Sequence, residues 1–394
     1  MKKDFMFTSE SVTEGHPDKL CDQISDAIVD HFLMQDPRAG LRIECAVSSA
    51  IVFIAGRFAT RGKVDLTHVA RKVIKRIGYD QPDFNSKICS ILSSPQGSPP
   101  DRYFDFDEHR LTDDQIEKLA VKTQATLFGF ACDHTPELMP LPISLARRLS
   151  MQLSRARVEG KLSYLMPDGK VQVGVEFLDR KPVRIHSITI TASQRDARHP
   201  DLKTLEEDIR RDVIDSAFQD QQIRPDPKTR IFVNPDGLFL GGPSYHSGLT
   251  GRKNGVDTYG EYSRHSGNAL SGKDPSRIDK VGAYAARYAA KNIVAAGLAS
   301  ECEITLSYSI GITRPVSLQV ETSGTGKLPD PEIREMVKRH FDFRLAAILR
   351  DFNLRNLPAS SAGGFYQRLA AYGHFGRTDM ELPWERTDKA SALR

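Results

Sequence analysis

The stretch DKLCDQISDAIVDHFLMQ, Asp18–Gln35, repeats an apolar residue every fourth position, at Leu20, Ile24, Ile28 and Phe32. That interval stacks the four side chains on one face of an α-helix. Just beyond it, RIECAVSSAIVFIAGRFA (Arg42–Ala59) is β-rich and reads as a strand pair, and DLTHVARKVIKRIGY (Asp65–Tyr79) returns to helical spacing. The same order recurs in the middle of the chain as ISLARRLSMQLSRARVEG, the strands KVQVGVEF and VRIHSITITAS, and LKTLEEDIRRDVIDSAF. It recurs again as AYAARYAAKNIVAAGLA, then CEITLSYSIGI and PVSLQVETSG, then PDPEIREMVKRHF. The units begin roughly 130 residues apart, too far for a solenoid. The expected fold is therefore α+β, with three similar domains in a pseudo-threefold arrangement, each a sheet with helices packed on one face. The expected boundaries are 1–101, 120–240 and 241–394, joined after the first by a mobile lid and linker over 102–119. Thr112 and Gln115 are spaced as a capping box for a short helix in that linker.

Composition narrows the function. With 394 residues, 39% hydrophobic and 27% charged, the chain reads as a soluble globular protein of more than one domain. A net charge of +4 is too small to argue for nucleic acid, but it fits basic clusters around a small anion. The five cysteines show no CxxC pairing, and their odd number argues against a disulfide framework. MKKDFMFTSESV lacks the apolar core of a secretory leader, and no apolar run approaches the roughly 20 residues of a membrane span. A cytoplasmic location and no membrane partner are expected.

Three groups of residues suggest chemistry. EGHPDK sets His16 and Asp18 at a helix start, where a carboxylate is favoured and a hard cation such as Mg²⁺ finds an oxygen ligand. Asp22, Asp26 and Asp30 continue that carboxylate spacing and read as a solvated face. MPDGKVQV places Asp168 and Lys170 at the mouth of a strand. The third group is GGPSYHSGLTGRK (Gly241–Lys253), followed by YSRHSGNALSGKDPSRID. Neither stretch matches GxxxxGK[ST] or GxGxxG, which leaves a P-loop or Rossmann enzyme unsupported. Two glycine-rich loops carrying Arg252, Lys253, Lys273 and Arg277 do suit a polyphosphate. His186 reads as a strand residue, Tyr372 and His374 as packing, and the arginines of ARRLSMQLSRAR as a solvated or interface helix face.

Taken together, TSESVTEGHPDK, MPDGK, GGPxxxxGLTGRK, VDTYG, SGKDP, AYAARYAAKNIVAAGLA and AAYGHFGR resemble the S-adenosylmethionine synthetase family from about Phe7 to Lys389. The resemblance implies adenosyl transfer from ATP to L-methionine, followed by cleavage of the bound triphosphate to pyrophosphate and phosphate. It implies a homodimer, or a tetramer built as a dimer of dimers, with sites at the subunit interface. It also implies two Mg²⁺ per site, on Asp18 and Asp279, and K⁺ on Glu44. His16 matches the histidine beside the breaking C5′–O bond, and His16, Lys170 and Lys273 match catalytic positions. Asp168, Gly169, Lys170, Leu238, Phe239, His246, Arg252, Lys253, Ala269 and Lys273 match the nucleotide site.

The departures cluster where the family holds methionine. His246 stands in place of an aspartate, Arg57 of a glutamate, Ser98 of a glutamine, Thr123 of an aspartate in GAGDQG (here AVKTQA), and Arg277 of a lysine. Losing acidic groups and gaining Arg57 weakens an ammonium site unless something compensates. One reading keeps methionine, with Arg57 taking its carboxylate and Asp101 or Asp133 its amine. Another sends the adenosyl group to a different thioether or thiol. A third makes the chain a silent nucleotide-binding regulatory homologue, against which stands its retention of His16, Asp18, Lys170, Lys273 and Asp279.

Overall fold

The computed structural model describes residues 4–97, 106–196 and 200–394. Ser98, Asp101 and the first residues of the expected lid, 102–105, lie outside the described residues. Eleven strands are described: β1 Phe5–Val12, β2 Gly40–Ser48, β3 Ile51–Ala59, β4 Ser90–Gly97, β5 Ala125–Cys132, β6 Leu165–Leu178, β7 Lys181–Gln194, β8 Arg230–Val233, β9 Gly248–Leu249, β10 Glu301–Tyr308 and β11 Ser317–Glu321. They form three sheets, ordered β4-β3-β2-β9, β1-β6-β7-β8 and β11-β10-β5. Helices Pro17–Gln35 and Leu66–Ile77 pack on the first sheet, Leu141–Val158 on the second and Ile278–Ala295 on the third. This is the α+β architecture expected from the repeated pattern.

Each third of the chain lends a strand to another third's sheet. β1 pairs with β6 of the second sheet, β5 with β10 of the third, and β9 with β2 of the first. The exchange has a functional result. Because Val12 lies opposite Lys170, the loop that follows β1 runs beside the start of β6, and EGHPDK meets MPDGK. Thr13 seals the junction, its N–H donating to the Gly169 carbonyl at 3.0 Å and its hydroxyl to that of Pro167 at 2.7 Å. The approach is so close that a Cβ on Gly15 would lie 2.3 Å from Pro167, so no larger residue fits there.

The carboxylate stripe of the first helix is not a solvated face. Asp18, Asp22, Asp26 and Asp30 are all buried, because the helix is enclosed by the first sheet and by the C-terminal third. Each acid accepts a backbone N–H from that third. Leu249 donates to Asp18 at 3.0 Å, Gly251 to Asp22 at 2.7 Å, Gly272 to Asp26 at 2.8 Å, and Tyr366 and Gln367 both to Asp30 at 3.0 Å. Carboxylates four residues apart rise by about 6 Å per step, and so act as evenly spaced pegs for the loops alongside. Burial pushes the Asp22 and Asp26 carboxyls up to about 6 and Asp30 up to about 7.

Ser93–Gly97 belongs to β4, in parallel register with β3, and Pro95 is tolerated because β4 is an edge strand. One other expectation changes. Arg147 is buried rather than solvated, donating to the carbonyls of Val256 (2.8 Å), Thr258 and Phe375 (2.7 Å). The Thr112–Gln115 capping box is present, and His186 lies in β7. Tyr372 and His374 are buried in packing.

Candidate active site

Strand β2 is the spine of the site. Its free edge receives both glycine-rich loops, one after the other. Gly248 and Leu249 pair with Val47 and Ala46, and the Thr250 N–H donates to the Cys45 carbonyl at 2.9 Å. Further along, the Ile43 N–H donates to the Gly272 carbonyl at 2.7 Å, and Arg42 bridges Lys273. Asp18, Asp22 and Asp26 hold the same loops from the helix below. The loops also touch each other: a Cβ on Gly251 would fall 2.2 Å from the Cβ of Ala269, so glycine is what lets them close. Basic side chains from both loops are thereby set along one edge. Lys253 Nζ lies 3.1 Å from Asp18 Oδ2 and Lys273 Nζ 2.5 Å from Asp279 Oδ2. Arg252 is exposed, and Arg277 occupies the N-cap position of helix Ile278–Ala295 without a side-chain capping bond.

At the helix entry His16 is the N-cap. Its Nδ1 accepts the Asp18 N–H at 3.2 Å, which leaves the neutral ring's own proton on Nε2. Burial lowers its pKa to about 4, against the pull of Asp168 and Asp18, so the ring is uncharged at neutral pH. A register shift between Leu165 and Gly169 bulges β6 and turns Asp168 inward. Its Oδ2 accepts the Gly242 N–H at 2.8 Å and lies 2.6 Å from His246 Nε2. The His246 ring sits 4.9 Å from that of His16 and 6.4 Å from that of Phe239, which is held by its carbonyl to the Gln194 N–H. His16, Asp168 and His246 lie within reach of a single ion. The hydrogen bonds already made argue otherwise: His16 offers a proton rather than a second lone pair, and His246 is bonded directly to Asp168.

Of the expected residues, the fold thus gathers His16, Asp18, Asp168, Gly169, Phe239, His246 and Lys253 in one group, with Leu238 half-buried beside Phe239. Lys170 stands at the rim, paired with Glu10 at 2.5 Å. A second group lies on the outward face of the first sheet. There Arg42, Glu44, Arg57, Ser94 and Gln96 line a recess of about 340 Å³. Lys273, and through it Asp279, joins this group by the bridge to Arg42. Asp133 does not approach either group, and pairs instead with Lys181 at 2.5 Å. Arg42 and Gln96 escaped the sequence reading, although the period-two spacing of Arg42 and Glu44 already put them on one strand face. So did Lys19, fully buried between Asp22 (3.0 Å) and Asp257.

Among the described residues no helix is long and apolar enough to cross a membrane. Models of the S-adenosylmethionine synthetase N-terminal, central and C-terminal domains match residues 4–98, 118–239 and 240–386. The S-adenosylmethionine synthase of Microcystis aeruginosa is 48% identical over 409 residues, covering 100% of this chain and 98% of its own. Those of Synechococcus elongatus and Trichormus variabilis are also 48% identical, over 408 and 409 residues, with 100% of this chain and 98% and 97% of theirs covered. With all three domain models matched in order and nearly half of its residues shared along its whole length, the chain belongs to the S-adenosylmethionine synthetase family.

Proposed function

We propose the following account of how this chain performs its family's reaction. It is a methionine adenosyltransferase that converts ATP and L-methionine to S-adenosylmethionine. The methionine sulfur donates a lone pair to C5′ of ATP, the C5′–O bond breaks, and triphosphate leaves with the electron pair. Water then cleaves it to pyrophosphate and phosphate. The observation that carries the account is the stitching of both lysine-bearing loops along β2, which fixes positive charge where the leaving group gathers negative charge. Lys253 and Lys273, with Lys170 and Arg252 at the rim, stabilise that charge. His16 gives a hydrogen bond from Nε2 to the departing oxygen, and its backbone-fixed tautomer makes it a neutral donor.

Asp18 and Asp279 fit two magnesium ions. Asp279 Oδ1 is buried without a hydrogen-bond partner, and each acid is countered by a lysine that phosphate would draw away. Bound there, the ions would neutralise the triphosphate. Potassium at Glu44 is a different matter, because Arg42 holds that carboxylate.

For methionine, Arg57 in the recess takes the carboxylate. The two groups serve one methionine only where they meet across a subunit interface, with Nδ1 of His246 taking the amine while Asp168 holds the ring from its other side. The outward face that carries the recess also bears Phe53 and Leu92, exposed and in register with each other. An apolar patch continuous with substrate groups supports a homodimer whose sites are completed at the interface. A cytoplasmic location agrees with five cysteines that are all buried thiols.

The test separates the two steps. His16→Ala is expected to slow S-adenosylmethionine formation by more than about tenfold while sparing hydrolysis of added triphosphate, since only the first step breaks the C5′–O bond. Equal loss of both activities would remove His16 from that role.

A further inference from the structure

The residues around Glu44 do not fit the potassium ion that the family resemblance implies. Glu44 and Arg42 alternate with buried residues along β2 and share its outward face. Arg42 Nε donates to Glu44 Oε1 at 3.0 Å, and Nη2 lies 2.8 Å from the same oxygen. Directly across the sheet the Cα partner of Arg42 is Arg57, whose own partner on β4 is Gln96. The recess therefore sets two permanent cations beside one carboxylate. A guanidinium does not lose its proton at any pH the enzyme meets, and its planar fork matches a carboxylate better than a spherical ion does. Potassium would have to displace Arg42 from Glu44 and then sit between two like charges.

We propose that the Arg42 guanidinium takes the place of a monovalent cation at Glu44, so that this enzyme works without potassium. The substitution is local and economical in reach. Arg42 is the residue whose backbone bridges Lys273, so the cation that fixes Glu44 is part of the strand that also aligns a phosphate-binding lysine. Arg42 is thus a positioning residue, acting through Glu44 and Lys273. The inference rests on the adenosyl-transfer reading only where activity is measured.

The full-length enzyme would be compared in potassium chloride and in tetramethylammonium chloride at equal ionic strength, by rate of S-adenosylmethionine formation and by thermal midpoint. For the natural chain, potassium is expected to change the rate by less than about twofold and to leave the midpoint unmoved, since an ion that does not bind cannot stabilise. Arg42→Ala is expected to lose activity in tetramethylammonium, to regain about fivefold or more with potassium, and to gain thermal stability from potassium. Arg42→Lys, which keeps the charge, is expected to remain indifferent to potassium. Activation of the natural chain by about fivefold or more, or a potassium-dependent rise in its midpoint, would overturn the proposal. So would an Arg42→Ala enzyme that is fully active without potassium, or one whose loss potassium does not repair. Should that variant fail to fold, Arg42→Gln serves in its place and the natural chain's response still decides. A chain that makes no S-adenosylmethionine would instead defeat the functional reading, and the midpoint measurement would still test the cation site.

Discussion

At the scale of single residues, His246 is held from more than one side. Its Nε2 is bound to Asp168, and its ring stands between those of His16 and Phe239. In the proposed function a histidine so held would offer its remaining nitrogen to methionine, whereas an aspartate would offer a full charge. His246→Asp is therefore expected to shift the KM for methionine by about tenfold, the value of one charge-assisted hydrogen bond, and the KM for ATP by less. A larger change for ATP would put His246 on the nucleotide. His16, Asp18, Asp168, Lys253 and Lys273 were legible as candidates because each lies in a short motif whose residue types suit a phosphate or metal. Glu44 was reached only through the family resemblance and Arg42 not at all, since nothing in RIEC distinguishes a surface pair from one in a recess until β3 and β4 are laid beside it.

At the scale of the element, helix Pro17–Gln35 does more than cover a sheet. Its apolar face was readable from Leu20, Ile24, Ile28 and Phe32, all now buried. The opposite face misled, because a carboxylate every fourth residue is the ordinary pattern of a solvated helix, and only tertiary packing reveals that those acids receive backbone N–H groups. Asp30 gives the cleanest measure of this. Its carboxyl has an ordinary value of 3.8 and is pushed up to about 7 by burial, against two N–H donors. Between those values the folded chain keeps a proton that the unfolded chain releases. The stability this confers is complete below the ordinary value and is lost as pH rises through the folded one. Asp30→Asn stays neutral throughout, at the fixed cost of a mismatched amide. Its unfolding free energy in urea relative to the natural chain is expected to improve as pH rises from about 5 to about 8, by about 1.4 kcal/mol at most for each pH unit crossed below the folded value. A difference that stays constant with pH would mean that Asp30 is already ionised in the folded state.

At the scale of the whole molecule, the threefold repetition was legible and the exchange of strands was not. Helix and strand periods are local and survive in sequence, whereas β1, β5 and β9 each pair with a strand far along the chain. Those long-range pairings assemble the candidate site, whose motifs the residues alone give one by one and only the family resemblance joins. The outward face of the first sheet, with Phe53 and Leu92 exposed beside the Arg57 recess, is where the proposed homodimer would meet. Phe53→Asp is expected to weaken self-association by about 2 kcal/mol or more, seen by sedimentation velocity, and to lower activity in proportion to the loss of dimer. A monomer as active as the parent would place the complete site within one chain. Adenosyl transfer itself is tested by incubating the purified enzyme with ATP and Mg²⁺, with and without L-methionine, and resolving nucleoside and phosphate products. S-adenosylmethionine, pyrophosphate and phosphate formed together, and only with methionine, is the predicted result. ATP cleavage indifferent to methionine would contradict it.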